Sequence, residues 1–540
     1  MQKNLDFKNQ TKQLIDELKS VCANSGLAND GNEYKIITQI FLYKFLNDKF
    51  VYEIKLLDKN LSKSKNFSKD LKKYDKNKFE MLLMQLNPNT AKLKPEQLIS
   101  SIYEKQNDPN FANIFDENLI KIAKQNVSTF SVLTSSGQKI TLFENISKYI
   151  ADQKDEFCKA IINKIINFSF ENVFKEKFDF FADIFEYLIK DYNSNSGETY
   201  AEYFTPHAVS KIMAACLVDS NVKNKKCYDP SAGSGSLLMN LSHSIGEDKC
   251  TIYSQDISQK SSQLLRLNLI LNNLVHSIPN IVQGNTIKDP YHVTENNIYE
   301  KFDYIVSNPP FKIDFSDYRN FLNSQENSER FFAGIPNIPK KDKKKMPIYL
   351  LFLQHIIHSL ADKGKSSIVV PTGFLTANGI AAKIRGHLIQ NNMLAGVISM
   401  PSNIFATTGT NVSVIFIDKK RSQKNVILID ASNFGKKIKE GKNQKTVLSN
   451  DDENKIIETF KNQKEIKKVS KLVSNNDIER KKFSFNAAQY FDIKIEYTKM
   501  SQDQFKDEIN SFKQNIKKSV KESQIMEKML IKELNKLKYE

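Results

Sequence analysis

The fold class of this chain follows from one stretch of its sequence, Lys226-Cys227-Tyr228-Asp229-Pro230-Ser231-Ala232-Gly233-Ser234-Gly235-Ser236. Its first four residues are assigned to a strand, a turn with two glycines follows, and a helix then runs to Gly246. Glycine lets a ligand approach the backbone closely, here at the amino end of a helix. The stretch therefore predicts a strand–turn–helix unit with a binding site at its turn.

On both sides of this unit, strands alternate with helices. The sequence predicts further strands at 250–255, 280–283, 302–307, 366–371, 395–401 and 412–418, with helices at 258–274, 348–363 and 381–391. Such alternation implies an α/β fold with a doubly wound, mostly parallel sheet. In sheets of this kind ligands bind beyond the carboxyl ends of the strands.

The chain divides into three parts that differ in composition and in the spacing of their apolar residues. Residues 1–165 are predicted to form a helical domain, which is either an accessory domain or one whose lysines touch phosphates or a partner. Residues 166–435 form the α/β domain. Residues 436–540 are a linker and a helical, partner-binding region. That last part contains an imperfect heptad of apolar residues: Phe505, Ile509, Phe512, Ile516, Met526, Leu530 and Leu537. The heptad favours either a partner-binding helix or a helix folded back on its own domain.

Composition narrows the class of protein. The net charge of +17 suggests a polyanionic partner, although the lysine-rich, arginine-poor composition also fits an AT-rich genome. No apolar run is long enough for a transmembrane helix, and the first residues have no secretory core. The five cysteines have no CxxC spacing, so we expect neither a metal site nor disulfides, and a cytoplasmic location.

Polar residues follow four successive predicted strands. The glycine turn lacks the third glycine of a dinucleotide fingerprint, because residue 238 is leucine, and it lacks the lysine of a phosphate loop. The acidic Asp229 before the turn suits a cationic ligand, and S-adenosylmethionine carries an amine and a sulfonium. Asp256, after the second strand, is expected to accept the ribose hydroxyls. Asn285, after the third strand, is expected to bind the cofactor adenine.

The fourth strand ends in the tetrad Asn308-Pro309-Pro310-Phe311. Two prolines cannot continue a sheet, so the strand stops there. The Asn308 amide oxygen and the Pro309 carbonyl are two acceptors suited to an exocyclic NH2 group. Pro310 would stiffen the loop, and Phe311 could stack on a flat base. The alternative interpretation is a turn punctuated by prolines.

With these motifs in place, the chain resembles the N6-adenine DNA methyltransferases, specifically the modification subunit of type I restriction–modification systems. The resemblance covers roughly residues 165–420, and it includes residues 368–373 and 394–411 beyond the strand-end motifs. It also includes the segment 202–206, which resembles the family element that closes over the methionine end of the cofactor. Asp256 stands where the family often has Glu, and Ala201 where it often has Gly.

The resemblance implies a class I S-adenosylmethionine-dependent methyltransferase that transfers a methyl group to N6 of a flipped adenine in double-stranded DNA. It implies a specificity subunit as partner, with two modification subunits per specificity subunit, and possibly a restriction subunit; it implies no metal. The alternatives are an RNA-adenine or protein-glutamine methyltransferase, or a non-enzymatic scaffold. The implied catalytic residues are Asn308, Pro309, Pro310 and Phe311, and the implied cofactor-binding residues are Glu202, Tyr203, Phe204, Thr205, Pro206, Asp229, Gly233, Ser234, Gly235, Ser236, Asp256 and Asn285.

Several basic residues lie near these motifs in sequence. Arg330, Arg385 and Lys340–Lys345 are candidates for binding phosphates, with a solvated basic loop as the alternative. His355 and His358 share one apolar helix and are expected to be packed or partly exposed rather than to act as ligands.

Overall fold

A computed structural model describes residues 2–28, 31–171, 174, 187, 205–294, 298–405, 410–440, 443–491 and 500–535. By their contacts they form two compact units, Met1–Tyr490 and Phe491–Glu540. Within these residues no helix is both long and apolar enough to cross a bilayer. All five cysteines are free thiols. The extents of the three domains proposed from the sequence stay predictions.

The first unit is built on an 11-stranded sheet within the described residues, in the order β13-β10-β8-β9-β7-β6-β3-β4-β5-β1-β2. Its strands are β1 Val132–Thr134, β2 Lys139–Ile140, β3 Lys225–Asp229, β4 Cys250–Asp256, β5 Ile281–Gln283, β6 Phe302–Ser307, β7 Leu360–Pro371, β8 Leu394–Ser399, β9 Val412–Asp418, β10 Asn425–Asp430 and β13 Ser470–Ser474. The predicted doubly wound, mostly parallel sheet is confirmed, since β9, β13 and β2 alone of these strands pair antiparallel to their neighbours.

Helices cover the faces of this sheet, and its central strands are therefore buried. The connecting helices are His207–Leu217, Ser236–Ile245, Gln259–Leu271, Arg319–Leu322, Tyr349–Ser359 and Ile380–Gln390. Burial on both faces explains why the central strand β9 is almost continuously apolar, with six consecutive buried residues. Such strands are stabilised mainly by the removal of apolar surface from water.

The largest difference between a predicted and an observed boundary lies between the helix that begins at Tyr349 and β7. The helix expected to run to residue 363 ends at Ser359, and β7 begins at Leu360. The pairing of β6 with β7 shifts register between Phe302 and Tyr304, which marks an irregularity next to Gly364. A Cβ on Gly364 would come within 2.7 Å of the Phe302 carbonyl, so glycine is required where the strands approach.

The N-terminal part of the chain is helical, as predicted, and it also extends the sheet. β1 pairs parallel to β5, and β2 forms the outer edge. The sequence analysis missed these strands because they span only three and two residues. The helices here are Gln2–Asn24, Gly31–Leu57, Lys59–Ser62, Phe67–Lys72, Lys76–Gln85, Ile99–Tyr103, Phe111–Gln125, Val127–Phe130 and Lys154–Ile165.

Residues after 435 are more ordered than the linker expected from the sequence. β11 Lys436–Glu440 and β12 Asn443–Val447 form a hairpin, and helices Asn450–Lys461 and Asn475–Arg480 flank β13. β13 pairs antiparallel to β10 and closes that edge of the sheet. The polar, lysine-rich composition concealed these elements, because edge strands and exposed hairpins carry little apolar patterning.

The described residues of the second unit form helix Gln502–Leu534, which begins with a capping box at Ser501 and Gln504. The predicted long C-terminal helix is thus confirmed as far as residue 534, and Leu537 lies outside the described residues. Its large apolar side chains are all exposed: Phe505, Ile509, Phe512, Ile516, Val520, Ile525, Met526, Met529, Leu530, Ile531 and Leu534.

Candidate active site at the carboxyl edge of the sheet

The four strands that precede the predicted site residues are neighbours in the sheet. β6, β3, β4 and β5 lie in that order, and each adjacent pair is parallel. Their carboxyl ends therefore share one edge. This edge brings together the glycine turn, Asp256, Asn285 and the tetrad 308–311.

The glycine turn has the left-handed backbone that glycine permits. Gly233 and Gly235 have φ values of 52° and 85°, and Gly235 is the N-cap of helix Ser236–Ile245. A Cβ on Gly235 would lie 2.3 Å from Cδ1 of Leu265. The hydroxyls of Ser234 and Ser236 are 3.1 Å apart. The turn is therefore held close against the neighbouring helix.

We expect Gly235→Ala to destabilise the protein more than Gly137→Ala. Both residues have φ near 80°, but a Cβ on Gly137 meets nothing within 4 Å. The control variant therefore loses only the free energy needed to hold an alanine in a left-handed backbone conformation, about 1 kcal/mol or more. The clash with Leu265 adds about 1–3 kcal/mol of overpacking for Gly235→Ala. Urea unfolding of both variants measures the difference, and equal losses would contradict this view of the turn.

Asp229 is fully buried beneath the turn. Its Oδ1 accepts a hydrogen bond from the Ser231 amide at 2.9 Å, whereas Oδ2 has no hydrogen-bond partner among the described residues. Burial raises the pKa of Asp229 to about 8; the nearby Asp256 carboxylate acts in the same direction, and the hydrogen bonds from Ser231 oppose it. A buried carboxylate oxygen without a partner is a place for a cationic or donor group of a ligand.

Asp256 connects two parts of the site. Its Oδ2 accepts from the Gly233 amide at 2.9 Å, and its Oδ1 accepts from the Ser258 amide at 2.8 Å. Burial raises its pKa, and these hydrogen bonds oppose the rise. The carboxylate therefore fixes the glycine turn to the start of helix Gln259–Leu271, a role that the sequence did not indicate. Its contact with a ribose stays a prediction.

Asn285 is held in place by its own turn. Its Oδ1 accepts from the amides of Ile287 and Lys288, and its Nδ2 donates to the Tyr318 hydroxyl at 3.3 Å. Tyr318 was not identified from the sequence, because it lies 33 residues further along the chain. The neighbouring Thr286 hydroxyl donates to the Pro230 carbonyl at 2.7 Å, which ties this strand end to the glycine turn.

The tetrad lies beside the glycine turn. The parallel register of β3 and β6 pairs Cys227 with Tyr304, and the hydroxyls of Ser231 and Ser307 are 2.7 Å apart. Asn308, the next residue, is half-buried. Neither its amide oxygen nor the Pro309 carbonyl accepts a hydrogen bond from another residue in the described part of the chain. Both acceptors are therefore available to a ligand.

Phe311 is partly buried against the aromatic ring of Tyr349. Their ring centroids are 6.3 Å apart at an interplanar angle of 77°, and Tyr349 in turn meets Phe374 edge-on at 6.1 Å. These contacts fix one edge of the Phe311 ring. Its stacking on a target base stays a prediction.

The two arginines considered as phosphate ligands are buried, and that interpretation of them is wrong. Arg330 donates to the carbonyls of Thr286 and Ile287 and to Nδ1 of His355. Arg385 donates to three backbone carbonyls. With their donors occupied inside the protein, both guanidinium groups serve packing.

His355 is packed, as expected from the sequence. It accepts from Arg330, so its other ring nitrogen carries the proton and can donate to the Tyr228 hydroxyl at 3.3 Å. Burial, and then the positive charge of Arg330, holds the pKa of His355 well below its ordinary value. The imidazole is therefore neutral and structural.

The segment 202–206 is described only in part. Glu202, Tyr203 and Phe204 lie outside the described residues. Thr205 is buried, and Pro206 is the N-cap of helix His207–Leu217. The sequence Thr-Pro predicts Thr205 as the N-cap and Pro206 as the first helical residue, so the helix begins one residue later than predicted, a shift typical of helix ends.

The fold and the edge site define an α/β protein of the methyltransferase type. Residues 176–499 match the model of the N-6 DNA Methylase family. This chain belongs to that family, as the resemblance implied.

Individual relatives agree with the family. The chain is 29% identical over 352 residues to the type I restriction enzyme MpnII methylase subunit of Mycoplasma pneumoniae, covering 64% of this chain and 62% of that protein. It is 25% identical to the MjaIX methylase subunit of Methanocaldococcus jannaschii over 62% of this chain and 60% of that protein. The chain thus spans about three-fifths of the length of these curated relatives.

A solved structure shares the fold. It is a type I restriction-modification system methyltransferase subunit from Streptococcus thermophilus, with a TM-score of 0.71 and 21% sequence identity. The alignment covers 91% of this chain and 100% of that one. At this identity the similarity concerns the fold alone.

Proposed function

We propose that this chain is the modification subunit of a type I restriction–modification complex, a DNA methyltransferase that acts on N6 of adenine. Family membership supports the reaction class. The observation that carries the proposal is the 2.7 Å contact between Ser231 and Ser307, because it joins the glycine turn to the strand that ends in Asn308. A donor bound at the turn would therefore face an acceptor base at the tetrad.

The residues of the edge suit S-adenosylmethionine, which supplies an electrophilic methyl group on sulfur. The Oδ2 of Asp229, which has no hydrogen-bond partner in the described part of the chain, fits a cationic ligand. Gly233 and Gly235 leave the backbone open to close approach. Asp256 and Asn285 stand at the next two strand ends, where the ribose and the adenine of the cofactor would lie. Ser234 and Ser236 line the turn, and Glu202 to Pro206 would close over the methionine end.

The chain's part in the chemistry is to hold and polarise the target amine. An exocyclic amine is weakly nucleophilic because its lone pair is delocalised into the purine ring. The Asn308 amide oxygen and the Pro309 carbonyl would accept hydrogen bonds from the two N–H groups of the amine. These bonds would stabilise the positive charge that develops on nitrogen. Alignment with the donor methyl supplies the rest of the barrier reduction. The base must leave the duplex to reach this edge, where Phe311 would stack on it.

The class of product distinguishes the proposal from its alternatives. The purified chain, co-expressed with its specificity partner, is incubated with methyl-labelled cofactor and duplex DNA, RNA or protein. Nucleoside analysis should recover the label as N6-methyladenine in DNA. Label recovered in RNA adenine or in protein glutamine instead would overturn the proposal in favour of the corresponding enzyme.

The exposed apolar side chains of the C-terminal helix support the proposal that this chain binds a partner subunit. Its exposed apolar residues recur at spacings of three and four, the pattern of a helix that packs against another helix. The proposed partner is the specificity subunit, in a complex of two modification subunits and one specificity subunit, with a restriction subunit as the third component. The proposed compartment is the cytoplasm.

We expect Phe512→Asp with Ile516→Asp to weaken capture of the specificity partner by on the order of 100-fold, because each side chain is an apolar anchor worth about 1.4 kcal/mol, or tenfold in affinity. The matched control is Asn510→Asp with Gln514→Asp. It adds the same two charges at the same spacing on the opposite face of the helix. Co-purification from a co-expressing strain measures both. Equal capture by the two variants would contradict the proposed docking face.

A further inference from the structure

A dense cluster of exposed lysines lies between helices Arg319–Leu322 and Tyr349–Ser359, in the segment that follows the tetrad. Lys340, Lys341, Lys343, Lys344 and Lys345 fall within six residues, and all five are exposed. We call these residues, 340–345, the lysine loop. Among the described residues, the one ion pair within it joins Lys345 to Asp342 at 3.4 Å. The other four lysines have no carboxylate in salt-bridge contact among the described residues, although Lys343 and Lys344 lie near enough to the Asp314 carboxylate to interact with it electrostatically.

The lysine loop is attached directly beside the tetrad. The amide of Ile313, two residues after Phe311, donates to the Met346 carbonyl at 3.1 Å. Met346 follows the last lysine of the loop. The segment that leaves the site and the segment that carries the lysines therefore run side by side at the carboxyl edge of the sheet, on the side of the proposed base pocket.

The lysines are presented by an ordered platform. Residues 313–352 have a hydrophobic cluster of their own, formed with Ile287 and comprising Phe315, Leu322, Phe331, Ile335, Met346, Ile348, Leu351 and Phe352. Arg319 holds the chain before the loop by donating to the Pro336 carbonyl at 3.1 Å and to Asn337. Asp342 accepts from the Lys344 amide and caps the short turn 343–345. Ligand binding therefore orders little backbone, which lowers its entropic cost.

We propose that the lysine loop binds backbone phosphates of the DNA that flanks the target adenine, independently of base sequence. This inference rests on the proposed function and adds a contact surface to it. Duplex DNA carries about one negative charge per 1.7 Å of its axis. A base placed at Asn308 brings its flanking phosphates towards the loop, where point-charge ammonium groups bind them without reading sequence.

The test compares two variants that each lack four lysines. The loop variant carries Lys→Gln at 340, 341, 343 and 344. The control carries Lys→Gln at 223, 363, 420 and 424, which are exposed lysines at the opposite edge: they lie at or near the starts of β3, β7 and β10, or after the antiparallel β9. Both variants change the net charge equally, so a difference in DNA affinity between them reports the position of the lysines rather than the net charge.

The measurement is the affinity of the chain, co-purified with its specificity partner, for a fluorescent duplex over a series of salt concentrations. Wild type and control should show the same slope of log affinity against log salt. In the loop variant the slope should fall by about 0.9 for each phosphate that the protein no longer neutralises, so by about 2 to 4 in total. Binding of S-adenosylmethionine, measured by calorimetry, and the thermal unfolding midpoint should be the same in all three proteins.

Three outcomes overturn the inference and identify what failed. If the wild type binds DNA and the loop variant shows the same salt slope as the wild type, the proposed role of the lysine loop is wrong and the proposed function is untouched. Equal decreases of slope in the loop and control variants show diffuse attraction with no dedicated surface. Cofactor binding by a wild-type complex with the specificity partner that binds no duplex at low salt removes the inference together with the DNA step of the proposed function.

Discussion

Replacing Asn308 with alanine should lower the rate of methyl transfer on the order of 10²–10³-fold, the typical cost of losing one preorganised polar group that stabilises transition-state charge. Affinity for S-adenosylmethionine should stay within about twofold of wild type. The reason is geometric: Asn308 follows β6 on the side of the target base, whereas the cofactor would be held by the glycine turn after β3. Single-turnover kinetics and calorimetry measure the two quantities separately.

The control for this variant is Asn323→Ala. Asn323 is exposed and directly follows helix Arg319–Leu322, in the segment that comes after β6. It should transfer methyl groups at the wild-type rate. An active Asn308→Ala variant would show that the acceptor pair is wrongly assigned. A variant that loses cofactor binding as strongly as methyl transfer would place Asn308 in the cofactor pocket instead.

The second large effect is expected from Asp229→Asn. Truncating one partner of a buried charge pair typically costs about 2 kcal/mol or more, so cofactor affinity should fall on the order of 100-fold. The neutral amide is nearly isosteric with the carboxylate, and its oxygen can keep the 2.9 Å hydrogen bond from Ser231. The weaker binding therefore reports charge rather than collapse of the turn.

The same substitution should stabilise the cofactor-free protein at neutral and alkaline pH. Burial raises the pKa of Asp229 from 3.8 to about 8, so the folded state holds this proton more tightly than the unfolded state. Its contribution to stability is fully present below pH 3.8 and is lost as pH rises to about 8. Asp229→Asn removes that loss.

Thermal unfolding of the two cofactor-free proteins from about pH 5 to about pH 8 measures this effect, in steps of about one unit. The difference in midpoint should widen as pH rises, with the variant more stable. Parallel curves would contradict the buried, proton-binding state of Asp229. Unchanged cofactor affinity would remove its proposed contact with the cationic end of the ligand.

The alternation of strands and helices, and the polar residues that follow the strands, could be read from the sequence because both are local. β6 is a short apolar run stopped by Pro309 and Pro310, and the glycine turn follows β3 directly. The parallel sheet then follows from the helical crossovers, and its carboxyl edge collects every strand-end motif. The candidate site residues were therefore predicted one strand at a time.

The parts that could not be predicted depend on partners distant in the chain. β1 is recognised as a strand by its pairing with β5, about 150 residues later. The burial of Arg330 depends on the carbonyls of Thr286 and Ile287, and nothing in its flanking sequence distinguishes it from a surface arginine. The second role of Asp256, as an acceptor for the Gly233 amide, likewise depends on how two loops meet.

The central claim is that the glycine turn and the tetrad form one pocket. A crystal structure of the chain with a non-reactive amine analogue of S-adenosylmethionine tests it most directly. The expected ligand lies over Gly233 and Gly235, with its charged end near Asp229 and the atom that replaces sulfur facing Asn308. A ligand bound away from the turn, or one whose reactive end points away from Asn308, would contradict the account.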